Sequence, residues 1–441
     1  MVKEKARISG ITVRGFKSIS TEQHVTIRPL TILAGANSSG KSSIMQPLLL
    51  LKQTLESPGD PGALLLDGPH ARFTSADQLL SQFLGRARSQ NFDIRLDLLG
   101  NESLKLVFRR EEGKGFEVER MVYSSGSEQT EVVPEMGHSD ILKILPAPWK
   151  TFHQELEGRE GKHPGWTVYR ERCFLSFELA SDGGSKRIAF GRRGISPSVG
   201  FVPHIQGVLH LPGLRGNPRR TYAKAVGGPY FQGTFEPYVA SVIAQWQMAH
   251  DPKLAELGEQ LERMGLTWKV KAEPVDDTQV ELKVGRLVHG KRGGASDLIS
   301  IADVGFGVSQ SLPVIVALLA ARPGQLVYLE QPEIHLHPLA QRQLAHVLKS
   351  AIDHEVVAVV ETHSALLLRE IQTLVATDVI AKENVGLHWL QRDEGNGSTT
   401  VTEADLDERG AYGDWPEDFG QTELEAEKAY LDAVEAKTAK K

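Results

Sequence analysis

Gly35-Ala36-Asn37-Ser38-Ser39-Gly40-Lys41-Ser42 decides how this chain is read. Residues 25–33 before it read as a strand, and the apolar run 44–55 after it is long enough for a helix. Strand, glycine loop and helix is the setting that a phosphate-binding P-loop needs. The glycines let backbone N–H groups turn toward a β-phosphate, and the helix N-terminus adds a partial positive charge. Lys41 is placed to reach the β- and γ-phosphates, and the Ser42 hydroxyl to ligate Mg2+.

A second stretch supplies the acid that such a site requires. In residues 325–338 an apolar β-type run ends on Glu330, and Gln331-Pro332-Glu333 turns the chain toward Pro338, which can open a helix. A buried strand that delivers a carboxylate at its carboxyl end completes a metal–nucleotide site. His335 and His337 stand near two acids, but alternate histidines fit tetrahedral zinc poorly, so an interface loop is the preferred reading.

Composition sets bounds. The 441 residues are enough for two to three domains, or one large domain carrying an insertion. The net charge of −6 gives nucleic-acid binding no support from the total charge. A single cysteine, Cys173, rules out a disulfide framework and fits a reducing compartment. The start is too polar for a secretory signal, and the longest apolar stretch, 313–321, is too short to span a bilayer. A cytoplasmic protein with no membrane contact is expected.

The remaining chain divides around the two motifs. Residues 7–14 read as a strand and 15–19 as a turn. A Pro/Gly-rich linker at 57–70 leads to short alternating runs at 92–99, 104–109, 116–123, 173–179 and 187–190, an antiparallel pattern. A loop at 210–222 gathers Arg215, Arg219 and Arg220 near Lys224, Tyr222 and Tyr230. It reads as a solvated basic loop, as a phosphate sensor at a subunit interface, or as a contact to a nucleic-acid backbone. Helical periodicity covers 236–250, with a further helix opening at Asp251-Pro252 and stopping at Gly265; 266–271 and 279–288 pair as strands. Gly305-Phe306-Gly307-Val308-Ser309-Gln310 opens an apolar helix, and a strand at 355–360 ends in Glu361-Thr362-His363-Ser364. Two short strands at 385–390 and 399–402 and a charged helix at 424–436 finish the chain. The expected division is 1–56, a first part that carries the P-loop; 57–294, a β-rich and partly helical insertion; 295–404, a second part that carries Gly305 to Gln310, Glu330 and His363; and 405–441, an acidic tail.

In this order, these motifs resemble the ABC-type ATPase heads of the SMC and OLD class, and most nearly the bacterial domain-of-unknown-function 3696 group. The resemblance rests on residues 15–18, 35–42, 214–222, 303–313, 330–338, 361–364 and 414–419, and covers nearly the whole chain. It implies an α/β P-loop NTPase fold of the ABC head type. Gly35 to Ser43 (Ser43 included) would hold ATP phosphates and Mg2+, Glu330 would take the Walker B position, and His363 would be the switch histidine on the γ-phosphate. Gly305, Gly307, Ser309 and Gln310 would form the signature loop that caps the nucleotide of the opposite subunit. Gln78 or Gln82 would supply the Q-loop glutamine. A homodimer with two sandwiched ATP molecules follows, with room for a higher oligomer.

Two departures shape the expected activity. Gly305 stands where the signature serine is usual. Gln331 stands where the hydrolytic glutamate is usual; an amide orients water but accepts no proton, and Glu333 is the nearest replacement. A positioned base is worth about 10²–10⁴-fold, so slow turnover is expected. The function expected is a dimeric ATP-gated switch, in anti-phage defence or DNA surveillance, working with a separate effector such as a nuclease. The alternative is an OLD-like nuclease or DNA-repair ATPase that acts on DNA itself.

Overall fold

The computed structural model describes residues 7–82, 88–157, 165–180, 187–188, 196–225, 228, 230–287, 297–413 and 428–432. Its centre is a six-stranded sheet in the order Leu209–Leu211, Leu326–Glu330, Val357–Thr362, Leu30–Ala34, Val385–Arg392 and Thr399–Ala404. All neighbours run parallel except the last pair. The central strands are buried and mostly apolar because a parallel sheet is covered on both faces. Successive side chains go to opposite faces. Leu326 and Tyr328 join the core under the helix Lys41–Glu56, while Val327 and Leu329 join the core under Phe306–Ala320.

In-register pairing sets Glu330 beside Glu361, and Thr362 beside Ala34. The P-loop, Glu330 and the Glu361–His363 turn therefore leave the sheet at one edge. Ligands of open α/β sheets bind at this carboxyl edge.

A second six-stranded sheet is antiparallel, in the order Gln23–Thr26, Ile8–Arg14, Asn91–Leu98, Glu102–Glu111, Gly115–Ser125 and Glu128–Val132. It crosses the boundary expected at residue 57, because Ile8–Arg14 pairs with Asn91–Leu98. Leu209–Leu211, assigned by sequence to the insertion, is an edge strand of the parallel sheet. Both results arise from long-range pairing, which local periodicity does not carry. The strand expected at 25–33 is two strands, Gln23–Thr26 and Leu30–Ala34. Pro29 between them has no N–H for a ladder, and Arg28 N–H bonds the Thr31 hydroxyl instead.

The 57–70 segment is packed and not a free linker. Gln53, buried in the helix Lys41–Glu56, bonds Leu65 O, Ala71 O and His70 N–H. The stretch between 127 and 165 contains the helices His138–Ile144 and Ala147–Glu157. The motif at 414–419 lies outside the described residues, as does all of the charged tail helix except 428–432, which is helical. No helix among the described residues is long and apolar enough to cross a membrane.

Candidate functional site

The loop between Leu30–Ala34 and Lys41–Glu56 uses backbone that glycine favours. Gly35 and Gly40 have φ of +152° and +99°, and Ser38 also adopts positive φ, at +61°. A Cβ on Gly40 would sit 2.5 Å from the Thr399 hydroxyl. Thr399 in turn bonds Ser39 O and Ser18 Oγ, at 2.8 and 2.7 Å, so the last strand and the turn at 15–19 brace the loop.

Lys41 Nζ folds onto the loop, donating to Gly35 O and Ala36 O at 3.0 and 2.8 Å. Burial pushes its pKa down to about 8, against the opposing pull of Glu361 and Glu333. The Ser39 hydroxyl is buried without a partner. A lysine held only by carbonyls beside an unpaired hydroxyl is what an anion-ready loop presents.

The structure gathers the P-loop with other groups foreseen from sequence. A cleft of about 610 Å3 is lined by Asn37, Ser38, Gly40, Lys41, Ser42 and Ser43 together with Gln331, His363, Gln78 and Gln82. Lys17, Ser18 and Glu361 line it as well. Gly305, Gly307, Ser309 and Gln310 are not among the described residues that line it.

Glu361 was not foreseen as a site residue. Ser42 Oγ bonds Glu361 Oε2 at 2.9 Å, and not Glu330, and the Tyr328 hydroxyl bonds the other Glu361 oxygen. Glu361 is fully enclosed. Burial, then the charge of neighbouring Glu330, pushes its pKa up to about 7. Two carboxylates side by side, one touching the Ser42 hydroxyl, form a donor set that suits a hard divalent cation. Mg2+ fits these residues.

Glu330 is held from the other side. His210 Nε2 lies 3.1 Å from Oε1, and Gly213 N–H donates to Oε2 at 3.1 Å. Burial works against its charge, but these partners outweigh burial and keep its pKa below the usual carboxylate value. A buried chain continues outward: His210 Nδ1 meets His70 Nδ1 at 3.0 Å, and His70 Nε2 meets Glu56 at 3.4 Å. Glu56 then accepts from Lys52. Burial pulls the His70 pKa down to about 4, so that ring is neutral.

Gln331 has left-handed backbone, φ +43°, unusual for a residue with a side chain. Its N–H donates to Glu361 O and its carbonyl accepts from Arg215, at 2.9 and 3.2 Å. Glu333 is buried; its Oε1 accepts from the Thr362 hydroxyl at 2.6 Å and from His363 N–H at 3.0 Å. Its Oε2 has no partner. Burial lowers the His363 pKa, and the Lys41 charge lowers it further, which favours the neutral ring.

The two histidines after Glu333 have structural duties. His337 caps the helix Pro338–Asp353, and the His335 ring lies 5.9 Å from that of Phe306. Among the described residues no group of three or more His, Cys, Asp or Glu is placed to hold a metal.

Two family profiles match this chain. One, described as "AAA ATPase domain", covers residues 7–155 and includes the P-loop. The other, described as "AAA domain, putative AbiEii toxin, Type IV TA system", covers 230–369 and includes Glu330 and His363. No curated protein matches. Among solved structures, an SMC head bound to the C-winged helix domain of ScpA aligns at 14% identity and TM-score 0.49, over 91% of this chain and 98% of that one. The SMC head domain of Thermotoga maritima aligns at 11% and 0.40, over 91% and 100%. The head of Pyrococcus yayanosii Smc aligns at 9% and 0.47, over 92% and 98%. None of these matches names the domain-of-unknown-function 3696 group. The P-loop and the Glu330 edge leave one parallel sheet together, and each lies inside a stretch that is similar to AAA ATPase domains.

Proposed function

We propose that this protein is an ATP-dependent switch that dimerises around two ATP molecules, hydrolyses them slowly and signals to a separate effector in defence. One observation carries the dimer. The P-loop cleft is built within one chain, while the Gly305–Gln310 segment is not among the described residues that line it and presents Phe306, 53% exposed. Leu214, Ile334 and Leu339 are exposed as well, at 91%, 49% and 54%. Exposed apolar side chains and a glycine-opened helix start fit a face that a second copy covers, with the helix N-terminus toward that copy's phosphates. The profile over 230–369, whose description names a toxin of a toxin–antitoxin system, supports a role in defence.

Bound Mg2+ would offset phosphate charge, held by Ser42 with Glu330 and Glu361 as the adjoining acids. Lys41 leaves its two carbonyls for the β- and γ-phosphates. His363, neutral and in the cleft, donates to the γ-phosphate. The unpaired oxygen of Glu333 takes the proton from the attacking water as that water's oxygen bonds the γ-phosphorus and the bond to ADP breaks. Gln331, lacking a base, orients that water. Glu333 is fixed by Thr362 and the His363 N–H, so it is preorganised, but it lies two positions beyond the usual base. That placement supports low turnover.

Calorimetric titration with ATP and Mg2+, alongside single-turnover hydrolysis, tests this reading. Tight binding with slow hydrolysis is expected. Rapid multiple turnover by the monomer would contradict it.

A further inference from the structure

The basic loop at 214–222 is the sequence feature that the nucleotide cleft leaves unused. Its arginines differ in what they meet. Arg220 forks onto Asp303, at 3.0 and 2.8 Å, so its charge is answered. Arg215 is only 9% exposed, and its two hydrogen bonds go to neutral acceptors, Gln310 Oε1 and Gln331 O, both at 3.2 Å. Its Nη1 is buried with no partner. A buried guanidinium without a carboxylate on it is costly unless an anion arrives.

Arg215 lines a cavity of about 560 Å3 with Arg72 and Arg219. Tyr222 and Ser309 contribute hydroxyls to the lining. Glu236 is the one acid among its described lining residues, against three arginines. The volume is that of a small-molecule pocket. An excess of two positive charges suits a phosphate dianion, and the arginine fork matches phosphate oxygens in a way that a point charge does not.

We infer that this cavity is a second anion site, which takes the phosphoryl group of a small molecule on Arg72, Arg215 and Arg219. Two sources carry that chemistry: a free phosphorylated molecule, or the ATP of a second copy, because Ser309 belongs to the segment proposed to face it. Only the second source rests on the proposed dimer. Arg215 also holds Gln310 and Gln331, so occupancy bears directly on the residue beside Glu330.

The test has two arms. In the Lys41→Ala protein, inorganic phosphate and adenosine monophosphate are titrated by calorimetry. Binding that weakens at least about tenfold on adding Arg219→Ala or Arg72→Ala, the loss of a charge-assisted contact, establishes the free source. In the second arm, the same arginine substitutions are made in the otherwise unaltered chain, and the ATP concentration that drives dimerisation is measured. A rise of at least about tenfold, with ATP binding to the monomer unchanged, establishes the partner's ATP as source. Arg72 and Arg219 are exposed, and an unchanged melting temperature separates binding from folding. Absence of arginine-dependent phosphate binding in the first arm, together with unaltered ATP dependence in the second, overturns the inference. If ATP drives no dimer at all, the first arm alone decides.

Discussion

The two faces of this molecule differ in how completely they are built. Around the P-loop, most functional side chains meet partners within the chain: Lys41 on carbonyls, Ser42 on Glu361, Glu330 on His210 and Gly213 N–H. Around Gly305 to Gln310 the surface presents Phe306, and behind it Arg215 keeps an unpaired nitrogen. One face reads as a finished half-site. The other has the character of a half-site that needs something from outside the chain. That contrast supports the proposed switch over a self-sufficient motor.

The contrast breaks most sharply at the finished face. Lys41→Ala should weaken ATP binding by about a hundredfold or more in calorimetry, since it removes a charge held at the phosphate position. Unchanged affinity would mean that the loop is not the ATP site. Next comes the base. Glu333→Gln should slow single-turnover hydrolysis by about 10²–10⁴-fold with ATP affinity kept. Gln331→Glu should raise turnover if a base in that slot is what the protein lacks. A flat or lower rate, with Glu333→Gln inactive, would put the base at Glu333 alone.

At the unfinished face, Phe306→Asp should leave ATP binding by the monomer intact and raise the ATP-dependent dimer dissociation constant about tenfold, from the loss of a buried aromatic contact. An equal loss of monomer binding would show that the two faces are not separate.

A last effect, read on stability instead of binding, concerns Glu361. Its folded pKa is pushed up to about 7 from an ordinary 4.5. Between those values the folded state holds a proton that the unfolded state has released. Stability is therefore greatest below the lower value and falls as pH rises through the upper one, by at most about 1.4 kcal/mol per pH unit. Denaturant unfolding without Mg2+ from pH 5 to 8 should show this slope, and Glu361→Gln should flatten it. Identical slopes would place the titration elsewhere.

Sequence carried the local half of this account. The P-loop and the strand ending on Glu330 are contiguous patterns, and each sits on the strand or turn that its residues predict. The partners were not legible. Glu361 meets Ser42 across 319 residues of chain, and His210 meets Glu330 across 120. Glu361 stood in a motif and His210 at the head of the basic loop, but their roles at the site arise only from which strands are neighbours. Pairing across the expected boundary at 57 was hidden for the same reason: an N-terminal strand completes a sheet made later in the chain. Arg215 was visible as one of several arginines, but only packing separates it from Arg220, which Asp303 neutralises.

The most direct test of the half-site contrast is the mass of the protein by light scattering with and without Mg2+ and ATP, for the unaltered chain and for Lys41→Ala. An ATP-dependent dimer is expected in the first and its absence in the second. A mass indifferent to ATP in the unaltered chain, under conditions where calorimetry shows ATP bound, would contradict it.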